Sequence, residues 1–188
     1  MSDVRIERWG PDDLWLLRRA NSAEMTRYLV ASETDDELEN RHAKYLRHWE
    51  TGEARMFRIV ADGQDAGGIG WWSTRWLDEP VHETGWFVLP ELQGRGIAAA
   101  AVALVVADVR AHGTHPLLTA FPSVENAASN ALCARTGFAL RGTDEAEFRG
   151  AMLRCNAWVL DLRTVGRADP PEAAGSAGPT APRRPAGS

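Results

Sequence analysis

Between residues 86 and 98 the chain reads Trp86-Phe87-Val88-Leu89-Pro90-Glu91-Leu92-Gln93-Gly94-Arg95-Gly96-Ile97-Ala98. An apolar run passes through a glycine-containing turn straight into an alanine- and valine-rich stretch. The first amides of a helix have no intrahelical acceptors and sit at the positive end of the helix dipole, so a turn of this kind can hold a phosphate group. Gly94 and Gly96 suit that role because a residue without Cβ lets the backbone approach an anion closely.

Three readings compete for the turn. The plainest is a tight strand-to-helix connection whose glycines serve the turn alone. The second is a dinucleotide fingerprint, because Gly94-x-Gly96-x-x-Ala99 satisfies G-x-G-x-x-A. That site also wants an acidic residue at the end of the next strand to hold a ribose. Here the strand ends Thr119-Ala120-Phe121-Pro122, and the motif lies in mid-chain after a run of strands. A P-loop is excluded, since no Gly-Lys-Ser/Thr follows. The third reading is a pyrophosphate cradle for coenzyme A.

The elements that must position this turn follow from periodicity. Val4 to Trp9 reads as a strand. Pro11 fits a first helical turn, with Asp12 and Asp13 near the positive dipole end and Leu14, Leu17 and Ala20 as an apolar stripe. Thr34 and Glu37 form a capping box for a helix carrying Leu38, His42, Tyr45, Leu46 and Trp49 at helical spacing, and Gly52 ends it. Met56 to Ala61 and Gly67 to Ser73 read as strands joined through an Asp62-Gly63 turn, and Val81 to Leu89 as a third. Gly96 to Arg110 reads as a helix apolar nearly all round, hence buried. Leu117 to Phe121 is a strand, Asn126 to Thr136 a helix stopped by Gly137, Ala139 to Arg141 the start of a strand, and Met152 to Leu162 a long strand. Residues 1–165 thus form one mixed α/β domain. Residues 166–188, rich in Pro, Ala, Gly and Ser without periodicity, read as a disordered tail.

Composition narrows the function. A chain of 188 residues with 44% hydrophobic and 25% charged residues suits one globular core. A net charge of −5 gives no reason to expect a nucleic-acid partner. Two cysteines, Cys133 and Cys155, make neither a zinc cluster nor a disulfide framework, so no metal is expected and a reducing compartment is the simpler reading. Charges at Asp3 and Arg5 argue against a signal peptide, and the apolar run from Ile97 to Ala107 is too short for a bilayer. A cytoplasmic protein without membrane partners is expected.

Two segments carry a family resemblance. Gln93-Gly94-Arg95-Gly96-Ile97-Ala98, preceded by Val88-Leu89-Pro90, resembles the acetyl-CoA motif Q/R-x-x-G-x-G/A of the GNAT superfamily of N-acyltransferases. Asn126-Ala127-Ala128-Ser129-Asn130, followed by Arg135-Thr136-Gly137-Phe138, resembles the N-x-x-S…G-F segment of the branch holding the ribosomal-protein N-terminal acetyltransferases. The resemblance covers residues 4 to 163. It implies the GNAT acyl-CoA N-acyltransferase fold, α/β of the α+β kind, with a single central, mostly antiparallel sheet flanked by helices. It also implies acetyl-CoA as co-substrate and transfer of its acetyl group to a primary amine, on a protein N-terminus or a small molecule, with a homodimer left open. The alternative is a GNAT-fold module that senses acyl-CoA without catalysis.

The resemblance assigns roles residue by residue. Backbone groups of Phe87 and Val88, at a bulge where the strands splay, would bond the pantetheine arm. The amides from Gln93 through Ala98 (Gln93, Gly94, Arg95, Gly96, Ile97, Ala98) would hold the pyrophosphate. The Arg95 side chain is either a phosphate ligand or a solvated arginine. Asn126 would bond the pantetheine and also cap its helix. Glu83 is the candidate general base, with a surface strand carboxylate as the plain alternative; His82 is next, and alternation lets only one of the two face the cleft. Backbone N–H near Val88 would hold the oxyanion. Many relatives protonate the leaving thiolate with a late tyrosine, but the only tyrosines here are Tyr28 and Tyr45, so Ser129 is the substitute. Trp71, Trp72, Trp76 and Trp86 cluster on two strands, where they are core packing or the lining of an acceptor cleft.

Overall fold

The structure, a computed structural model, describes residues 2–29, 31–148 and 151–164. The segment read as a disordered tail lies outside the described residues. One sheet of seven strands runs in the order β1-β2-β3-β4-β5-β7-β6. Its strands are β1 (Val4–Arg8), β2 (Ala54–Ala61), β3 (Gln64–Trp76), β4 (Glu79–Val88), β5 (Leu117–Ala120), β6 (Ala139–Phe148) and β7 (Ala151–Asp161). Every neighbouring pair is antiparallel except β4 and β5, which are parallel. The single, mostly antiparallel sheet is the architecture the sequence implied.

Helices cover both faces. On one face lie α1 (Leu14–Ala20) and α3 (Asp35–Thr51), around a cluster of Trp9, Leu16, Leu17, Leu38, Met56 and Leu89. Between them comes α2, Ala23–Thr26. On the other face lie α4 (Ile97–His112) and α5 (Ala127–Arg135), packed on the larger core. Ile97, Ala101, Val102, Val105, Val106 and Val109 of α4 are buried there, as its all-round apolar composition requires.

Local chemistry explains most boundaries. The Thr34–Glu37 capping box is fully formed, and Gly52 ends α3 in the left-handed conformation at φ 75°. Asp62 and Gly63 both take positive φ, 51° and 80°, the geometry of a type I′ hairpin turn. Leu77 and Asp78 do the same at 50° and 62°. That second turn extends β3 and β4 beyond the expected Ser73 and Val81, because non-glycine residues there hide it from sequence reading.

Three expectations need correction. The first helix begins at Leu14, and Pro11 to Asp13 form a turn. Asp13 is turned back, accepting the Gly10 N–H at 2.8 Å and an Arg58 N–H at 3.2 Å. The buried side of α1 is accordingly Leu16 and Leu17, not Leu14, Leu17 and Ala20. Second, α2 was not expected; the Ser22 hydroxyl caps it by accepting the Met25 N–H at 3.3 Å. Third, no bulge interrupts β4. Its register with β3 is unbroken from Gly67↔Val88 to Trp76↔Glu79.

Candidate active site

The parting of β4 from β5 opens the site. These strands pair only at His82↔Leu118 and Glu83↔Thr119, so β4 runs on to Val88 with no strand on that side. The splay is present, and it arises from β5 ending at Ala120 rather than from a bulge. The Leu89 N–H bonds the Ala66 carbonyl at 2.8 Å. Alternation along an antiparallel ladder then commits the N–H and C=O of Phe87 to β3 and leaves those of Trp86 and Val88 at the open edge. Of the two residues expected to offer backbone to a ligand, both border the cavity described below; Val88 has its N–H and C=O at the open edge, whereas the backbone of Phe87 is directed to β3 and Trp86 shares the open edge instead. The Val88 carbonyl already accepts a 2.8 Å bond from Gln93 Nε2, so its N–H is the group left to give.

Beyond β4, Pro90–Leu92 form one 3-10 turn, and the chain swings through Gly94 and Gly96 into α4. Both glycines are left-handed, at φ 74° and 78°, and a Cβ on either would meet nothing within 4 Å. Their use is therefore conformational and leaves open space above the turn. The first N–H of α4 to find an intrahelical carbonyl is Ala100, on Gly96 O at 3.1 Å. The N–H groups of Ile97, Ala98 and Ala99 precede it and have no acceptor within the helix. An anion at that position would meet aimed donors at the positive end of a sixteen-residue helix.

These groups border one cavity of about 650 Å³. Val88, Gln93, Gly94, Gly96, Ile97 and Ala98 line its floor, and Asn126, just before α5, and Ser129 within it line one wall. The side chain of Asn126 caps α5 by accepting the Ser129 N–H at 3.1 Å. Asn130 ties that helix to the sheet, its Oδ1 accepting from Asn156 Nδ2 and Trp158 Nε1, each at 2.8 Å. Arg95 is not among the lining residues; its guanidinium donates to the Glu91 carbonyl at 3.2 Å.

Sequence reasoning missed the opposite wall. Glu24, Met25, Arg27 and Tyr28, in and just after α2, line the cavity, as does Arg135 at the end of α5. The Arg27 guanidinium lies 4.6 Å from the centroid of the Tyr28 ring. Tyr28 thus reaches the same cavity as Ser129 from a distant part of the sequence. No local signal announces this, because a four-residue helix carries no periodicity.

Glu83 and His82 separate as alternation requires. His82 faces the α4 side, 1% exposed, its ring 4.8 Å from that of Trp71. Its Nε2 accepts the N–H groups of Thr114 and His115 at 2.9 and 3.1 Å. Burial first, and the neighbouring His115 second, push its pKa down to about 4. His82 is a neutral structural acceptor, which removes it as a base. Glu83 projects from the other face of β4. Burial pushes its carboxyl up to about 7, partly opposed by a hydrogen bond from the Trp72 side chain. The tryptophans divide likewise. Trp71 is core and donates to Asp108 Oδ2 at 2.7 Å, Trp86 borders the cavity, and Trp72 and Trp76 share the Glu83 face.

Among the described residues no cluster of His, Cys, Asp or Glu could hold a metal ion, and no helix is long and apolar enough to cross a membrane. No curated protein sequence matches the chain. Its structure resembles the Salmonella typhimurium acetyltransferase that modifies the N-terminal serine of ribosomal protein L7/L12. The TM-score is 0.72 at 18% identity, over 84% of this chain and 94% of that one. It also resembles YncA of Salmonella typhimurium, solved with acetyl-CoA, at TM-score 0.70 and 22% identity over 88% and 98% of the two chains. A third likeness is to aminoglycoside acetyltransferase AAC(6')-Ib in complex with coenzyme A, at 0.71 and 15% over 85% and 95%. The family model described as "Acetyltransferase (GNAT) domain" matches residues 3–139, and with the splayed β4, the glycine turn and the donor-lined helix start in place, the chain belongs to the GNAT acetyltransferases.

Proposed function

We propose that the protein transfers the acetyl group of acetyl-CoA to a primary amine by direct attack in a ternary complex. One observation carries this reading. A single strand, β4, borders the donor-lined cavity along its open edge and turns a half-buried carboxyl, Glu83, to its other face. The residues fit the co-substrate. Amides of Ile97, Ala98 and Ala99 face open space where a diphosphate would sit, and the free edge at Trp86 and Val88 suits an extended pantetheine arm.

An ammonium has no lone pair for attack, so the acceptor must first lose a proton. At pH 7 that costs roughly 4–5 kcal/mol for an amine with pKa ~10.4, but only about 1–1.5 kcal/mol for an α-amine near pKa ~8. A carboxyl poised near 7 is matched to that work, ionised often enough to accept a proton and basic enough to hold it. Glu83 is the base, directly or through water. The Val88 N–H stabilises the developing oxyanion. Asn126 orients the pantetheine, and Ser129 orients the leaving thiolate.

The acceptor is either a protein N-terminal α-amine or a small-molecule amine. Trp72, Trp76 and Glu83 on one face offer aromatic surface and negative charge to an incoming cation. The two cysteines are free and buried, in keeping with a reducing cytoplasmic compartment. The second reading is an acyl-CoA sensor without turnover. Thiol release from acetyl-CoA, followed across a panel of N-terminal peptides, polyamines and aminoglycosides, separates the two. Amine-dependent release supports the enzyme; tight acetyl-CoA binding with no release from any amine supports the sensor.

A further inference from the structure

Trp72 and Glu83 stand directly opposite each other in the β3–β4 ladder, so their side chains leave the same face. Two residues along β4, on that same face, is Gly85. A Cβ there would lie 3.1 Å from Cη2 and 3.8 Å from Cζ3 of Trp72. The benzo end of the indole therefore rests over position 85. Its one donor, Nε1–H, lies toward the other end of the ring system, on the side of the Glu83 carboxyl, whose pKa it lowers. Alternate strand residues are about 7 Å apart. An indole laid along β4 spans that interval, one end on the bare backbone and the other at the carboxyl.

We infer that Trp72, seated on Gly85, is a positioning residue that orients the Glu83 carboxyl for proton transfer. This rests on the reading of Glu83 as the base. The seat needs glycine because a side chain at 85 would lift the ring. The indole occupies one part of the carboxylate and leaves the remaining lone pairs to meet the amine or its water. It also favours the ionised form, countering the burial that opposes it. Around Glu83, β5 contributes Thr119, which donates to the His82 carbonyl at 2.9 Å. The titratable group from β7 is Cys155, its thiol held neutral by burial and by the charge of Glu83. Asp144 of β6 stands opposite Cys155. Burial and the indole are the two influences acting on Glu83 itself.

The test follows the Glu83 carboxyl directly by ¹³C titration in the full chain, beside the pH dependence of kcat/KM for the best acceptor. Trp72→Phe keeps a ring and removes the donor. Both the titration midpoint and the acid limb of the rate should rise together by on the order of one pH unit. The Kd for acetyl-CoA should hold, since Trp72 does not line the cofactor cavity. Gly85→Ala, which displaces the ring by a few tenths of an ångström, should shift both in the same direction by less, and serves if Trp72→Phe does not fold. An unmoved titration in both variants, with Glu83→Gln inactive, overturns the positioning role and leaves the base in place. A moved titration with an unmoved rate limb removes Glu83 as the base, and this inference with it.

Discussion

Trp76 of β3 donates its indole N–H to Asp144 of β6 at 3.1 Å, although β4, β5 and β7 lie between their strands. Four steps across a flat sheet amount to roughly 19 Å, beyond the combined reach of the two side chains. The sheet must curl, and the concave side is the one that carries Trp72, Trp76, Glu83 and Asp144. Phe121 joins this wall, its ring 6.4 Å from that of Trp76. This face of the sheet is thus a trough with aromatic sides, the half-buried Glu83 carboxyl within and an exposed carboxylate at the rim.

Asp144 uses one oxygen on the indole and is otherwise exposed, so under the proposed function it would draw in a cationic acceptor without touching the reacting atoms. Asp144→Asn should raise KM for a positively charged acceptor about two- to five-fold, the scale of an exposed ion pair, and leave kcat unchanged. Steady-state kinetics at low and high salt check this, since the effect should fade as salt screens the charge. An equal loss at both ionic strengths would place the effect in the packing of Trp76 instead.

Glu83 makes a prediction on activity and an opposite one on stability. Its carboxyl titrates near 7 in the folded protein, so kcat/KM should rise through about pH 7 as the base ionises. Glu83→Gln should lower turnover by on the order of 10²–10⁴-fold and abolish that limb. For stability, the folded value lies above the unfolded one. The contribution is present below about pH 4.5 and is lost as pH rises through 7, because folding then opposes ionisation. At pH 8 the glutamine variant should be the more stable, by up to roughly 3 kcal/mol, with the two converging near pH 4. Denaturant unfolding at the two pH values measures this.

Much of the cofactor side was legible because its signals are local. Gly94 and Gly96 in the strand-turn-helix, the Thr34–Glu37 box and the Asn126 cap each announce their geometry within a few residues. The alternation of His82 and Glu83 was readable too, but which of them faced the helices α4 and α5 was not, since that depends on packing. The far wall of the cavity was hidden. Arg27 and Tyr28 arrive through α2, too short for a period, and Arg135 reads as an ordinary last-turn cation. The Leu77-Asp78 turn lacks glycine, so the full length of β3 and β4 stayed out of sight, and with it the place of Trp76 beside Asp144. The commitment of the Phe87 backbone to β3 follows from register, which no single segment encodes.

His82 is the counterpart of Glu83 with the reverse sign. The neutral ring satisfies two loop amides, and its pKa is depressed to about 4. Its contribution is present above about pH 6.5 and lost as pH falls toward 4, because the unfolded chain takes up the proton first. His82→Ala empties a buried site and strands the Thr114 and His115 N–H groups, at a cost of about 2–4 kcal/mol. Thermal unfolding should reveal that loss at pH 7 and a smaller one at pH 4. The acetyl-CoA Kd should stay near wild type, which tests the assignment of His82 to structure alone.

The turn itself separates backbone from side chain. Arg95 donates to the Glu91 carbonyl and does not border the cavity, so Arg95→Ala should leave the acetyl-CoA Kd within about two-fold, the scale of a surface charge. Gly96→Ala changes no charge, yet it forces a Cβ into a left-handed residue at φ 78° and into the open space over the helix start. The strain amounts to about 1–2 kcal/mol. Relaxing it turns the amides of Ile97 and Ala98 away from the position they hold, so binding should weaken on the order of ten-fold or more. Calorimetric titration of both variants with coenzyme A decides it. A large loss in Arg95→Ala with Gly96→Ala unaffected would move diphosphate recognition from the main chain to the guanidinium.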